Sequence, residues 1–342
     1  MTPTRPAVTV CTVTWNSREQ IDGYFRALDE LRPAVDVDVV VVDCASSDDS
    51  VTALEESRHL CRWPVTVVAL DENLGFAGGM NRAIEQSDAD WVWALNPDAR
   101  PESDALDCMI GAWTEEQPLR FGSVTPRIVR ESSLKTPRID ACGMRLTTTW
   151  RHLDRASGEI DQGQYQLRER VFGGTGAATL YRREALDDVA LHGLAFDEDF
   201  HSFREDAELA FRLQEREWEC LYAPLARVRH RRFNLPDRRR AMPSHVNLHS
   251  LKNRYLLRLY HQTAGNFART FLPTLWRDVL ALGYVLLVEH TSLGAYRWLW
   301  QNRRRLLERR RELRARRTAP NRAVNRWFRR DALPLPTARP ST

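Results

Sequence analysis

Several acidic residues and one histidine stand where the sequence ends an element, which is where a chain can present side chains for chemistry. The apolar run Trp91 to Leu95 meets Asn96-Pro97-Asp98. Proline has no N–H to give a sheet ladder, so the chain should leave the sheet there with a carboxylate at its mouth. Open α/β sheets take ligands at the carboxyl ends of their strands, and a carboxylate oxygen there suits a hard divalent cation. Asp43 closes the valine-rich run from Val37 in the same way. Glu205-Asp206 precede Leu209, Ala210 and Leu213, which share one helix face, so both acids lie at a helix head. Acids placed there can move protons, or they can simply answer the helix dipole. His230 follows Val228 among Arg229, Arg231 and Arg232, and reads equally as a ligand or a surface histidine. Taken singly, Asp43 is a solvated strand-end acid, and the glycines from Gly173 to Gly176 are only a turn.

The elements that must position these residues follow from periodicity. Val8 to Thr14, Val37 to Val42, Val65 to Leu70 and Trp91 to Leu95 read as strands. Helical patterns follow Trp15-Asn16-Ser17, the stretch from Asp43 to Ser50, and Asn73 to Asn81. Strands alternating with helices over this length predict an α/β fold with a mostly parallel, Rossmann-like sheet. Further on, a helix is expected from Asp104 to Trp113 and strands over Val124 to Val129 and Ile139 to Thr149. Trp150 to Gln166 reads as a polar loop, Arg183 to Val189 as a short helix and Tyr222 to Val228 as a last strand. From His245 the pattern is helical, over His249 to Tyr260, Phe271 to Glu289 and Gln301 to Arg317. Residues 1–243 are therefore expected to form the α/β domain that carries these residues, divided near residue 130. Residues 244–317 would be a helical extension and 318–342 a Pro/Arg-rich tail.

At 342 residues and 43% hydrophobic, the chain can bury a sizeable core. Its six cysteines form no Cys-x-x-Cys pair, which predicts reduced thiols, no zinc site and a cytoplasmic setting, and the N-terminus lacks a secretory h-region. The net charge of +4 hides an asymmetry: residues 301–330 carry thirteen arginines against Glu308 and Glu312, a local +11, and the rest of the chain sums to −7. Such a block is a solvated helix face or a contact with anionic lipid or nucleic acid. Within the preceding helix, Val279 to Val288 is wholly apolar but bracketed by Arg277, Asp278 and Glu289, so a buried or interfacial helix is expected, not one spanning a membrane.

Taken together, Thr14-Trp15-Asn16, Asp43-Cys44-Ala45-Ser46-Ser47-Asp48, Asn73-Leu74-Gly75-Phe76-Ala77 with Asn81, Leu95 to Asp98, Gly173 to Ala178, Glu205-Asp206 with Leu209 and Arg212, and His230 resemble the family 2 glycosyltransferases, most nearly their rhamnosyltransferase-like branch. The resemblance covers about residues 7 to 260. It implies a GT-A fold, a nucleoside diphosphate sugar donor linked to dTDP or UDP, and sugar transfer with inversion assisted by Mg2+ or Mn2+. It implies that Thr14, Trp15, Asn16, Asp43, Asn73, Gly75 and Asn81 line the nucleotide pocket. Asn96 and Asp98 stand at the family's Asp-x-Asp position. Because the first acid is here an amide, Asn96 is assigned to the ribose and Asp98 to the metal. Asp206 would be the general base, with Glu205 positioning it, Gly174, Thr175 and Gly176 would line the acceptor side, and His230 would be a further metal or phosphate contact.

Two other classes compete. A sugar nucleotidyltransferase should carry a Gly-rich, Lys-containing signature near the first strand, and Trp15-Asn16-Ser17 is not that signature. A nucleic-acid binder would rest on the arginine block alone, which lies outside the motif-bearing region, so no nucleic-acid partner is expected. A lipid-linked saccharide acceptor, peripheral contact with the inner face of the cell membrane through the basic region, and self-association are the partner expectations. A soluble acceptor is the alternative.

Overall fold

The computed structural model describes residues 7–131, 136–231 and 244–328, with the backbone alone for 245 and 333–334. The expectations about the first six residues, the boundary at residue 243, Arg232 and the proline-rich end lie outside the described residues. The first half is β1 (Val8–Thr14), α1 (Arg18–Asp29), β2 (Val37–Asp43), α2 (Ser50–Ser57), β3 (Val65–Ala69), α3 (Gly75–Glu85) and β4 (Trp91–Leu95). These strands pair in parallel in the order β3-β2-β1-β4. The valines of β2 and all five residues of β4 can be apolar because helices cover both faces of this part of the sheet. Ile21, Tyr24, Phe25 and Leu28 are the buried stripe of α1.

The chain continues through β5 (Ala99–Pro101), α4 (Ala105–Glu115), β6 (Phe121–Arg130), β7 (Ile139–Ala141), β8 (Met144–Leu146), β9 (His152–Asp154), β10 (Glu169–Val171), β11 (Ala178–Arg182), α5 (Arg183–Val189), α6 (Glu205–Glu215) and β12 (Glu219–His230). Here the sheet is more mixed than the expected parallel one: β11 slots antiparallel between β4 and β6, and β12 is parallel to β6. The turn after Asn96-Pro97-Asp98 feeds β5 onto the end of β12, with Ala99 opposite His230. The stretch expected as a polar loop contains β9, and its first residue, Trp150, is buried between Phe211 and Phe328.

The last part is α7 (Ser244–His261), α8 (Ala264–Leu287), α9 (Leu293–Arg316), α10 (Asn321–Asn325) and β13 (Leu333–Pro334), which pairs with β10. It is no loose appendage. Leu256, Leu257, Tyr260, Leu306 and Leu313 share one core with Phe172, Ala207 and Phe211 of the catalytic half, and Trp327 and Phe328, assigned to the tail by composition, complete it.

The arginine block departs from the solvated face its composition suggests. Arg305 holds Asp199 through two hydrogen bonds, Arg309 lies 3.5 Å from Asp197, and Arg316 donates to the backbone carbonyls of Asp188 and Ala190. Arg310 and Arg314 both donate to the carbonyl of Gln262. Much of the positive charge is thus spent clamping α9 onto the domain. Of the two expectations for the preceding helix α8, buried or interfacial, burial does not hold, since most of its large apolar side chains are exposed.

Candidate active site

Two cavities open side by side at the carboxyl ends of β1 and β4. The first, of about 500 Å3, is lined by Trp15, Asn16, Asn73, Gly75, Asn96 and Asp98, with His201, Val246 and His249 closing it. The second, of about 370 Å3, is lined by Thr175, Gly176, Glu205, Asp206 and His230, together with Asp140, His152, Asp154 and Arg204. Phe76, Asn96, Ser202 and Phe203 belong to both and form the partition. The fold therefore gathers most of the expected site residues and sorts them into two compartments.

On the first side, Asn16 adopts a positive φ of 51° and its Oδ1 accepts the Ser47 N–H at 2.8 Å, tying the turn after β1 to the one after β2. Asn73 Oδ1 accepts the Gly75 N–H at 2.8 Å, and Gly75 has φ +69°. A Cβ at Gly75 would meet the carbonyl oxygen and ring of His201 at 2.5 Å, so the glycine is required by that close approach as well as by its backbone conformation. Trp15 stands half exposed at the rim.

Four assigned positions lie behind the wall. Thr14 is buried, and its hydroxyl donates to Asp43 at 2.9 Å. The Asp43 carboxylate also accepts from the Ser46 N–H and hydroxyl, so it shapes the turn and does not line either cavity. Asn81 is buried and spends its amide on Phe196, donating to the carbonyl and accepting from the N–H, both at 2.9 Å. Gly174 packs against Thr125 and Thr179, because only a residue without a side chain fits between those strands. In this structure these four positions stand outside the cavity walls, with their polar atoms and contacts engaged by the scaffold.

On the second side, Asp206 sits at the head of α6. Its Oδ2 accepts the Gly176 N–H at 3.0 Å and its Oδ1 the N–H of Ala207 at 2.7 Å. Burial raises the Asp206 carboxyl above the ordinary carboxylate range, partly opposed by the Gly176 bond and reinforced by Asp154. Burial raises Glu205 as well, with Asp206 next to it adding to the shift, and Glu205 Oε2 has no hydrogen-bond partner. The segment leading to them is bent: His201, Phe203 and Arg204 have φ of 57°, 70° and 73°. Such conformations persist only when the surroundings fix them. Here Asn253 of α7 fixes them, its amide nitrogen donating to the carbonyls of Phe200, Ser202 and Phe203. Asn253, Phe76, Asp140, His152, Asp154, Arg204 and His249 were not among the expected site residues; of these, Phe76, inside the Asn73 to Ala77 motif, and Arg204, adjacent to Glu205-Asp206, carried a signal.

His230 joins the two sides. Its Nδ1 lies 2.8 Å from Asp140 Oδ2 and its Nε2 3.2 Å from Asp98 Oδ1. Burial lowers its pKa, but the hydrogen bonds to Asp140 and Asp98 outweigh that and lift it to about 9. Both ring nitrogens are engaged by carboxylates here, so the expected metal contact would require the ring to give up one of them, while a ring protonated on both nitrogens remains a donor suited to a phosphate. Among the described residues no three His, Cys, Asp or Glu side chains group as a metal cage. Asp98 and the amide of Asn96 line the same cavity wall and offer oxygen ligands, which suit a hard divalent cation.

Residues 9–190 match the family model described as glycosyl transferase family 2. The chain is 28% identical over 261 residues to N-acetylglucosaminyl-diphospho-decaprenol L-rhamnosyltransferase of Mycobacterium tuberculosis, covering 70% of this chain and 80% of that protein. Among solved structures it resembles Staphylococcus aureus TarS 1–349 in complex with UDP-GlcNAc, with TM-score 0.56 and 14% identity over 94% of this chain and 89% of that one. It also resembles the mannosyltransferase PcManGT from Pyrobaculum calidifontis in complex with GDP-Man and Mn2+, with TM-score 0.52 and 18% identity over 87% and 76%. Adjoining cavities at the strand ends, the order of the motifs along the chain and a family match over more than half its length lead to one assignment: the chain belongs to glycosyl transferase family 2 and has its GT-A fold.

Proposed function

We propose that the protein is an inverting glycosyltransferase that moves a sugar, with rhamnose first in line, from a dTDP- or UDP-linked donor to a hydroxyl of a lipid-linked saccharide in cell-surface glycan synthesis at the inner face of the membrane. The observation that carries the reading is the partition: Asp98 faces one cavity, Asp206 the other, and Asn96 and Phe203 stand between them. The rhamnosyltransferase relative, whose name specifies a diphospho-decaprenol substrate, supports the choice of sugar and acceptor.

In this reading the nucleotide occupies the Trp15 and Asn16 side, with the exposed indole offering a face for the base. Asn96 holds the ribose, and the diphosphate reaches Asp98. A divalent cation held by Asp98 would offset the charge gathering on the departing diphosphate. On the other side an acceptor hydroxyl lies against Asp206, which takes its proton as the oxygen attacks the anomeric carbon from the face opposite the leaving group. Glu205, buried beside it and with its own pKa raised by burial and by Asp206, acts as a positioning residue. The raised pKa of Asp206 suits a base working near neutral pH better than an ordinary carboxylate does.

The test is a panel of nucleotide sugars assayed for nucleoside diphosphate release with and without a polyprenyl-diphosphate saccharide. Acceptor-dependent release from dTDP-rhamnose is expected. Release dependent on a water-soluble acceptor alone would replace the lipid-linked reading, and no release with any donor would remove the transfer reading.

A further inference from the structure

The helix α8 is amphipathic in the wrong direction for a soluble protein. Its protein-facing stripe, one residue every helical turn, is Asn266, Thr270, Thr274 and Asp278. Each is engaged on the inside. Asn266 completes a capping box with Thr263, Thr270 accepts the Trp150 indole N–H at 3.0 Å, and Thr274 donates to the carbonyl of Thr148 at 3.2 Å. Asp278 is gripped by Arg254 and Arg258 of α7. The opposite side carries Phe271, Leu272, Leu275, Trp276, Val279 and Leu280, exposed by 43% to 73%, and continues to Leu286 and Leu287. Twenty-four helical residues extend about 36 Å, and most of the large apolar side chains along that length are exposed, where a soluble monomer ordinarily leaves only small apolar patches in water.

We infer that this outward face of α8 is a monotopic docking surface that lies flat in the headgroup and acyl boundary of an anionic lipid leaflet. Three observations favour lipid over a second copy of the chain. The exposed face holds no carboxylate, since Asp278 is turned inward and paired. The exposed Arg269 is on α8 itself, and α9 adds the exposed Arg297, Arg303 and Arg304, with Arg303 4.3 Å over the exposed Trp300. Tryptophan on an apolar helix face, here Trp276, together with arginine is the pattern of a helix settling at a lipid–water boundary. The helix is long and apolar enough by composition to span, with mean hydropathy 1.2 over its best window. Its polar stripe is nevertheless bonded to the folded domain along its length, so lying in the interface satisfies both sides where crossing the bilayer would strip those contacts. The helix that holds α8 through Arg254 and Arg258 also lines the cavities with Val246, His249 and Ser250, so the surface sits one helix away from the proposed transfer site.

The inference deepens the lipid-linked acceptor reading and rests on it for its purpose, but not for its test. The full-length protein is sedimented with phosphatidylcholine vesicles and with vesicles containing phosphatidylglycerol, without donor or acceptor. Binding should appear with phosphatidylglycerol, weaken with salt, and fall roughly tenfold or more in the triple variant Leu272→Ser, Trp276→Ser, Leu280→Ser. These side chains point away from the core, so the variant should keep its melting temperature and its donor hydrolysis. Wild-type protein left in the supernatant at low salt would overturn the inference, as would equal binding by the triple variant. Light scattering without vesicles closes the remaining route: a dimer that the triple variant converts to monomer would mean that a second copy covers α8. Vesicle binding without acceptor-dependent transfer would leave the docking surface standing and remove the acceptor reading alone.

Discussion

Asp98 and His230 are 132 residues apart and meet at 3.2 Å because β5 is paired with the end of β12. The same ring reaches Asp140 at 2.8 Å, so one histidine bridges an acid in the wall of the first cavity and an acid in the wall of the second. Exhaustive chelation should therefore abolish transfer, with activity restored by Mn2+ or Mg2+. In Asp98→Ala, the metal-dependent part of donor affinity should disappear in calorimetry. Full activity in a chelator would assign the diphosphate charge to a protein cation instead.

Asp206→Asn should lower turnover by roughly 10² to 10⁴, with donor affinity unchanged. The sign of the pH dependence follows from the proton: a base works only when unprotonated, and burial holds the Asp206 carboxyl up near pH 6. The wild-type rate should rise with pH through that region and level off above it, and this limb should vanish in the variant. A near wild-type rate for the variant would remove Asp206 from the mechanism.

A buried ionic cluster sets the pH range of stability. Glu208 accepts from the Arg212 guanidinium at 2.7 Å, and Arg212 in turn donates to the carbonyls of Val189 and Ala195, fixing the loop before the bent segment. His261 lies 3.1 Å from Glu215 and 3.5 Å from Glu208. Burial opposes ionisation of Glu208, but Arg212 and His261 overcome it and hold its pKa at about 2. His261 is held at about 9 by Glu215 and Glu208 against the effect of burial. The Glu208 contribution is complete above its ordinary value of 4.5 and is lost as pH falls toward 2. The His261 contribution is complete below 6.5 and is lost as pH rises through 9. Thermal melts should thus show a plateau between these limits. Arg212→Met should cost about 3 kcal/mol or more by stranding Glu208, and a melt within a degree of wild type would show the cluster to be dispensable.

Asn81→Ala should cost about 2 kcal/mol, since the Phe196 N–H and carbonyl lose their partners in a buried setting, while nucleotide affinity holds. A large loss of nucleotide affinity at an unchanged melting temperature would return Asn81 to the pocket.

Asn253→Ala should loosen the turn that carries Phe203 and Arg204. Turnover and the KM for acceptor should change together, with the KM for donor affected less. A proteolysis assay should reveal new cleavage between residues 200 and 204, and unchanged kinetics would show that the bend needs no clamp from α7.

Local chemistry made much of this protein legible from its sequence. Valine-rich runs read as strands, Pro97 as a strand end, and acids ahead of an apolar stripe as a helix head, so β1 to β4, α6 and the places of Asp98 and Asp206 at the ends of their elements were readable. What the sequence left open were the partners of each polar atom. Asp43 and Asn81 have the residue types of ligand contacts, yet Ser46 and Phe196, placed by packing, occupy them. His230 could not be resolved between ligand and surface group because Asp98 and Asp140 reach it only through pairing across the sheet. The arginines after residue 300 looked solvated because charge patterning carries no information about the carbonyls and carboxylates that α9 finds once docked. The direction of α8 was likewise hidden: its periodicity marks an apolar side and a polar side, and only the contacts with Trp150, Thr148 and Arg254 decide that the polar side faces in.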